Sequence, residues 1–293
     1  MLIGMMALAA LVGLLLGGRD GAILAPLVAG GTALAAPFYT PWLTLRLFGA
    51  LAVPEGAAPE LTRVLHSLAG RAELPTAPKL YYIPSATPNA LSVGSRRASA
   101  VAVTDGLLRR LSGPELVAVL AHEVSHIRHG DLIVMAIADA LARLTTMLSL
   151  IGLFLVTLAT LEYGPALILP AALLILAPTV ISILQAALSR SRELDADLGA
   201  VELTGDPLAM IRALERIDCP HRRLWEQLLG LPPRDGNPSI LRSHPDTDER
   251  VARLRELLEQ SRRVPKVSSG VIRLLEQPEV TRRPGYRLWG GWH

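Results

Sequence analysis

Apolar and polar residues are distributed unevenly along this chain. Four stretches, Met1–Gly18, Gly21–Leu45, Leu144–Leu161 and Pro165–Ser189, contain no charged residue. Each is close to or beyond the roughly 20 apolar residues that carry a helix across a bilayer, so the pattern predicts four transmembrane helices. They come as two pairs, joined through Arg19-Asp20 and through Glu162-Tyr163-Gly164. Elsewhere the pattern shortens into amphipathic periods. Residues 59–70 set Leu61, Val64, Leu65 and Leu68 on one helical face. Lys79–Ile83, Asn89–Val93 and Ala98–Val103 read as strands, the last two flanking a turn at Gly94-Ser95-Arg96-Arg97. Thr104-Asp105-Gly106 ends this small sheet.

The next helix has a clear start. Ser112 and Glu115 form a capping box, and Pro114 stands in the first turn, where its missing N–H costs nothing. Leu116, Leu120, Val124 and Ile127 recur at helical spacing, and Gly130 stops the helix after His129. Beyond the second membrane pair, the fourth apolar helix is expected to continue into water as far as Asp197. A helix over residues 207–218 follows, burying Leu208, Ile211, Leu214 and Ile217. Residues 230–245 form a loop rich in Pro and Gly. Asp246 and Glu249 then open a last helix to about Arg262. The predicted fold is mainly α with a small mixed or antiparallel β-sheet.

Charge fixes the orientation of this scheme. Of 29 Lys and Arg residues, 8 lie in residues 54–131 and 18 in residues 190–293. Two membrane hairpins put both segments on one side, and the positive-inside rule makes that side the cytoplasm. The first apolar stretch could also be read as a signal peptide. No Lys or Arg precedes it, which favours a retained anchor. The Arg excess is explained by topology, and no nucleic-acid motif is present. The single Cys219 excludes an intrachain disulfide and fits a reducing compartment.

The chemistry concentrates in His122-Glu123-Val124-Ser125-His126. On a helix, positions i and i+4 share a face, so two imidazoles can hold one tetrahedral Zn²⁺. Glu123 stands beside them as a general base for water. A catalytic zinc site takes three protein ligands and keeps one position open. Glu193 is the strongest candidate for the third ligand. Asp197, on the same helical face, is placed to hydrogen-bond a ligand imidazole. Asp195 points away from that face. The plain alternatives are two surface histidines and a solvated acidic face paired with Arg190 and Arg192. His129 falls in the last helical turn, where a cationic side chain suits the helix dipole. His66, His221 and His293 have no partner pattern.

His122–His126, followed after a membrane hairpin by Glu193-Leu194-Asp195-Ala196-Asp197, resembles the HtpX-type membrane zinc metallopeptidases, relatives of the CAAX prenyl endopeptidases. Pro88-Asn89-Ala90-Leu91 resembles that family's substrate-binding edge strand, and Ser243-His244-Pro245 its His-Pro motif. Leu91 stands where an aromatic is common. The order of elements agrees over roughly residues 1–260. The resemblance implies a cytoplasmic zincin-like catalytic domain with one Zn²⁺ per chain. It implies membrane or misfolded proteins as substrates, in envelope quality control at the inner membrane. Asn89, Ala90 and Leu91 would bind an extended substrate. His244 would stabilise the oxyanion, or approach the metal as a fourth ligand in a resting form.

These readings divide the chain into residues 1–53 (membrane helices 1 and 2), 54–131 (sheet and histidine helix), 132–189 (membrane helices 3 and 4), 190–263 (third ligand and His-Pro motif) and a tail, 264–293. The competing function is a non-catalytic membrane scaffold with a structural zinc closed by four ligands. Glu123 argues against it, because such a site has no use for a base. Oligomeric state is not readable from the chain.

Overall fold

The computed structural model describes residues 2–163, 168–217 and 247–263. Residues 1–254 form one compact unit, and a second unit begins at Arg255. His244 and its neighbours, the Asp246 cap, Cys219, His221 and the tail from residue 264 lie outside the described residues.

The two N-terminal apolar stretches form one helical run, α1 (Leu2–Leu47), broken at Gly17-Gly18. Gly18 takes a positive φ of 57° there, a conformation that side chains with a β-carbon resist. The break reverses the chain. A β-carbon on Gly13 would overlap the Gly21 carbonyl, and one on Gly21 the Gly13 carbonyl. Met5 and Ala9 of the first arm accordingly pack with Ala29 and Ala33 of the second. Small residues at this seam let the two backbones approach closely, as in membrane bundles.

Two further long helices, α5 (Asp131–Tyr163) and α6 (Ile168–Thr204), complete the apolar half. Ala138, Leu141, Ile181 and Leu188 close its core against both arms of α1. By length and composition three described helices are able to cross a membrane, over Leu2–Tyr39, Asp131–Thr157 and Leu169–Thr204. The first of these spans both predicted N-terminal segments. Near the end of α1, the Arg46 guanidinium lies 3.7 Å from the Trp42 ring centroid, a cation–π contact suited to a membrane interface.

The polar half begins with β1 (Leu51–Ala52) and α2 (Pro59–Arg71), followed by β2 (Lys79–Ile83), β3 (Ala90–Ser95) and β4 (Ala98–Thr104). The sheet is mixed, in the order β1-β2-β4-β3. β2 runs parallel to β4, and β3 antiparallel to it with Ala90 opposite Val103 and Ser95 opposite Ala98. The hairpin turn is therefore only Arg96-Arg97, tighter than the sequence suggested. β1, too short to carry an alternating pattern, was not predicted. Nor was α3 (Asp105–Arg110), which Thr104 caps by accepting the Leu107 N–H. Thr104 thus ends the sheet and starts a helix.

Next comes α4 (Gly113–His129), which opens as expected, with the Glu115 carboxylate accepting the Ser112 N–H at 2.8 Å. Gly130 ends it in the left-handed conformation. The single apolar stripe foreseen for α4 is instead burial on every face from Ala118 to Ile127. The helix packs against β3 and β4 on one side and α6 and α7 (Pro207–Ile217) on the other. Gly199 permits the α4–α6 approach, since a β-carbon there would collide with the Ser125 hydroxyl. In α7 the buried residues are Ala209, Met210, Ile211, Ala213 and Leu214. Leu208 is exposed, because small alanines let the helix turn a different face inward. The last described helix is α8 (Thr247–Arg263).

Candidate metal centre

Helix α4 carries both histidines, and its complete burial takes them away from water. His122 and His126 face each other across one turn with their Nε2 atoms 3.2 Å apart. Helix α6 leaves the apolar half and brings Glu193 against them. Its Oε2 lies 3.3 Å from His122 Nε2 and its Oε1 3.6 Å from His126 Nε2. All three residues are buried. Tetrahedral donors bound at 2.0–2.1 Å are about 3.4 Å from one another. The two imidazole nitrogens and the two Glu193 oxygens stand near that spacing, and one donor atom from each residue lies within 4.8 Å of the others, so the three residues fit a single small metal ion.

The other nitrogen of each imidazole is fixed by a carboxylate. His122 Nδ1 is 2.9 Å from Asp197 Oδ1, and His126 Nδ1 is 3.0 Å from Asp131 Oδ2. Each carboxylate accepts the Nδ1–H and leaves Nε2 with its lone pair facing the cluster. Each carboxylate is in turn held by a guanidinium. Arg250 of α8 binds Asp197 through Nε at 2.7 Å and Nη2 at 2.6 Å, and Arg192 Nη1 lies 3.2 Å from Asp131.

Electrostatics favours a cation here. Burial would drive His126 neutral, but hydrogen bonds to Asp131 and Glu193 outweigh it and raise its pKa to about 10. For His122, burial is likewise opposed by bonds to Asp197 and Glu193, with a net upward shift. The surrounding carboxylates thus favour positive charge at the two imidazoles. A dication would supply that charge and balance the same carboxylates.

Most of this constellation was legible in the sequence. His122, His126, Glu193 and Asp197 come together. Glu123 is buried beside them and contributes to the field at His126 and Arg250. Asp195 is exposed, as expected. His129 stands apart from the cluster, its Nδ1 3.3 Å from the Ser125 hydroxyl. Asp131 and Arg250 were missed. Asp131 did leave a signal, a carboxylate five residues after His126, just past the Gly130 stop. Arg250 left none, being 53 residues from Asp197.

Asn89, Ala90 and Leu91 lie at the start of β3, an edge strand packed beside α4. Asn89 already uses its backbone. Its N–H donates to Thr104 Oγ1 at 2.8 Å, and its carbonyl accepts the Thr104 N–H at 3.0 Å. Backbone direction alternates along a strand, so the outward-facing groups belong to Ala90 and Ser92.

Membrane-length apolar helices that deliver a buried His–His–Glu cluster are the build of a membrane metallopeptidase, and the chain belongs to peptidase family M48, whose model matches residues 55–258. It is 35% identical over 265 residues to a protein of Ralstonia pickettii (strain 12J) named Protease HtpX homolog, covering 86% of this chain and 92% of the relative. A protein of the same name from Salinibacter ruber is 36% identical over 268 residues, covering 86% and 94%. Among solved structures, the crystal structure of S. mikatae Ste24p matches with a TM-score of 0.49 at 21% identity. That match covers 78% of this chain and 57% of that one.

Proposed function

We propose that this protein is a zinc-dependent endopeptidase, anchored in the inner membrane, that cuts membrane or misfolded proteins. The observation carrying this reading is the convergence of His122 Nε2, His126 Nε2 and the Glu193 carboxylate beside Glu123, in a chain of a peptidase family. His122, His126 and Glu193 would hold one Zn²⁺. The ion, when bound, supplies a Lewis acid for water and for the scissile carbonyl. Glu123 accepts a proton from the attacking water and delivers it to the leaving amine as the C–N bond breaks. Asp197 and Asp131 keep both imidazoles oriented throughout.

The substrate enters as an added strand on the open edge of β3, hydrogen-bonded to backbone groups of Ala90 and Ser92. Asn89 and Leu91 then shape the edge from the β4 side. His244 is assigned to the oxyanion, or to the metal in a resting state. We assign the catalytic half to residues 54–131 and 190–263. It faces the cytoplasm, held by four membrane-spanning segments, two of them the arms of α1. The reversal at Gly18, the apolar surface and the distribution of Arg support this arrangement. Clearance of damaged membrane proteins rests on the resemblance to the HtpX-type peptidases.

The test is zinc content and cleavage of an unfolded membrane protein, wild type against Glu123→Gln. The variant should keep stoichiometric zinc and lose about 10²–10⁴-fold in turnover, the usual range for a general acid–base group. Turnover close to wild type in the variant would remove Glu123 from its role.

A further inference from the structure

Arg250 takes no part in the catalytic steps proposed above, yet it is 4% exposed. A buried guanidinium is costly unless acidic oxygens meet it. Here Nε and Nη2 form a two-pronged pair with Asp197, and Nη1 lies 3.3 Å from Glu193 Oε2. The Asp197 oxygen that takes Nη2 also takes Nδ1–H of His122. One planar group therefore spans the carboxylate ligand and the clamp on the first histidine ligand. Helix docking alone would need only the Asp197 pair. The reach of Nη1 to Glu193 goes further.

We infer that Arg250 is a positioning residue of the metal site: its guanidinium fixes Glu193 and Asp197 relative to each other and so sets the ligand geometry. The inference rests on the metal reading above. Two effects oppose each other here. The positive charge repels a bound dication, so removing it would tighten metal binding. The fork holds a ligand in place, and losing such an outer partner weakens metal binding by about 10–100-fold. Glu123, Asp131, Glu193 and Asp197 are all buried, with Arg192 paired to Asp131 and Arg250 to Glu193 and Asp197. Among the described residues, a dication makes this set neutral with Arg250 present. The charge of Arg250 is thus already balanced, and its positioning effect dominates.

The experiment uses the full chain in detergent, with zinc affinity from chelator competition and the visible absorption of the cobalt(II) form. The variants are Arg250→Ala, Arg250→Lys and, as a control on the same helix, the exposed Arg253→Ala. Arg250→Ala should bind zinc about 10–100-fold more weakly and show an altered cobalt spectrum. Arg250→Lys keeps the charge but not the fork, so it should stay weakened, with the spectrum still altered. Arg253→Ala should match wild type. Tighter or unchanged zinc binding with a wild-type cobalt spectrum would overturn the inference, even if thermal stability fell. Full recovery in Arg250→Lys would also overturn it, by showing that charge alone matters. If Arg250→Ala does not fold, Arg250→Lys decides. A wild type that binds neither metal fails the metal reading itself, and this inference with it.

Discussion

The two halves of this protein invert each other's surface logic. In the apolar half, large hydrophobic side chains are left outside: Phe38 is 87% exposed and Phe154 64%. In the polar half, charges are inside: Asp131 is wholly buried, and Glu193, Asp197 and Arg250 nearly so. Exposed phenylalanines are a cost in water and normal in lipid. Buried charges are tolerable only when paired or bound to metal. The two solutions meet within single helices. α5 starts at the carboxylate that holds His126 and goes on to Phe154. α6 starts in apolar sequence and carries Glu193 and Asp197 in its last third. The helices that read as membrane anchors therefore also build the metal centre.

The comparison is broken most severely by exchanging the two chemistries. Phe154→Arg puts a charge at the middle of the third apolar segment, which costs about 2.5–3.5 kcal/mol in helix insertion, with a further few tenths lost from the phenylalanine. The fraction of protein retained in carbonate-washed membranes should fall sharply, whereas Phe154→Leu should behave as wild type. An arginine variant that inserts normally would mean that this face of α5 does not meet lipid.

The converse exchange lies at the other end of the same helix. Asp131→Asn keeps the shape but removes the charge that holds His126. Zinc affinity should fall about 10–100-fold. The upward shift of the His126 pKa, to about 10 in the metal-free site, also has a sign. A histidine raised this far is protonated at neutral pH, so zinc uptake must displace that proton, and affinity falls as the pH falls. Asparagine cannot raise His126 as aspartate does, so the variant should release fewer protons. Calorimetric titration in two buffers of different ionisation heat measures this count. Unchanged affinity and proton release would separate Asp131 from the metal.

What the sequence disclosed follows the range of each interaction. Local signals sufficed for the apolar stretches, the capping box at Ser112, and the two imidazoles one turn apart. Glu193 and Asp197 share a helical face, which alone reads equally well as a solvated acidic surface; it was the histidine pair, 67 residues before Glu193, that marked them as a ligand and its partner. Features set by tertiary packing were not legible. The all-round burial of α4 depends on the sheet and α6 closing over it. Leu208 is exposed because alanines make the contact in α7. Arg250 meets its partners only when α8 packs against α6, and nothing near it in sequence marks that meeting.

The smallest expected effect concerns Glu115, a buried carboxylate away from the metal. It accepts the Ser112 N–H and lies 2.8 Å from Arg216 and 3.7 Å from Arg212 of α7. Burial alone would raise its pKa, but the Ser112 bonds and the two arginines reverse this, leaving it below 4.5. A folded-state pKa lowered in this way gives stability that is complete above the unfolded value. That stability is lost as the pH falls through the folded one. Both arginines are about half exposed, so water screens the pairs and the total is roughly 1 kcal/mol. Glu115→Gln should lower the unfolding temperature of the detergent-solubilised protein slightly at neutral pH. The gap to wild type should narrow as the pH falls below about 4.5, first as the unfolded carboxylate takes up its proton and then, at lower pH, as the native one does. A gap that stays constant into acid would mean that Glu115 acts through its shape and its neutral hydrogen bonds, unlike the buried charges of the metal centre.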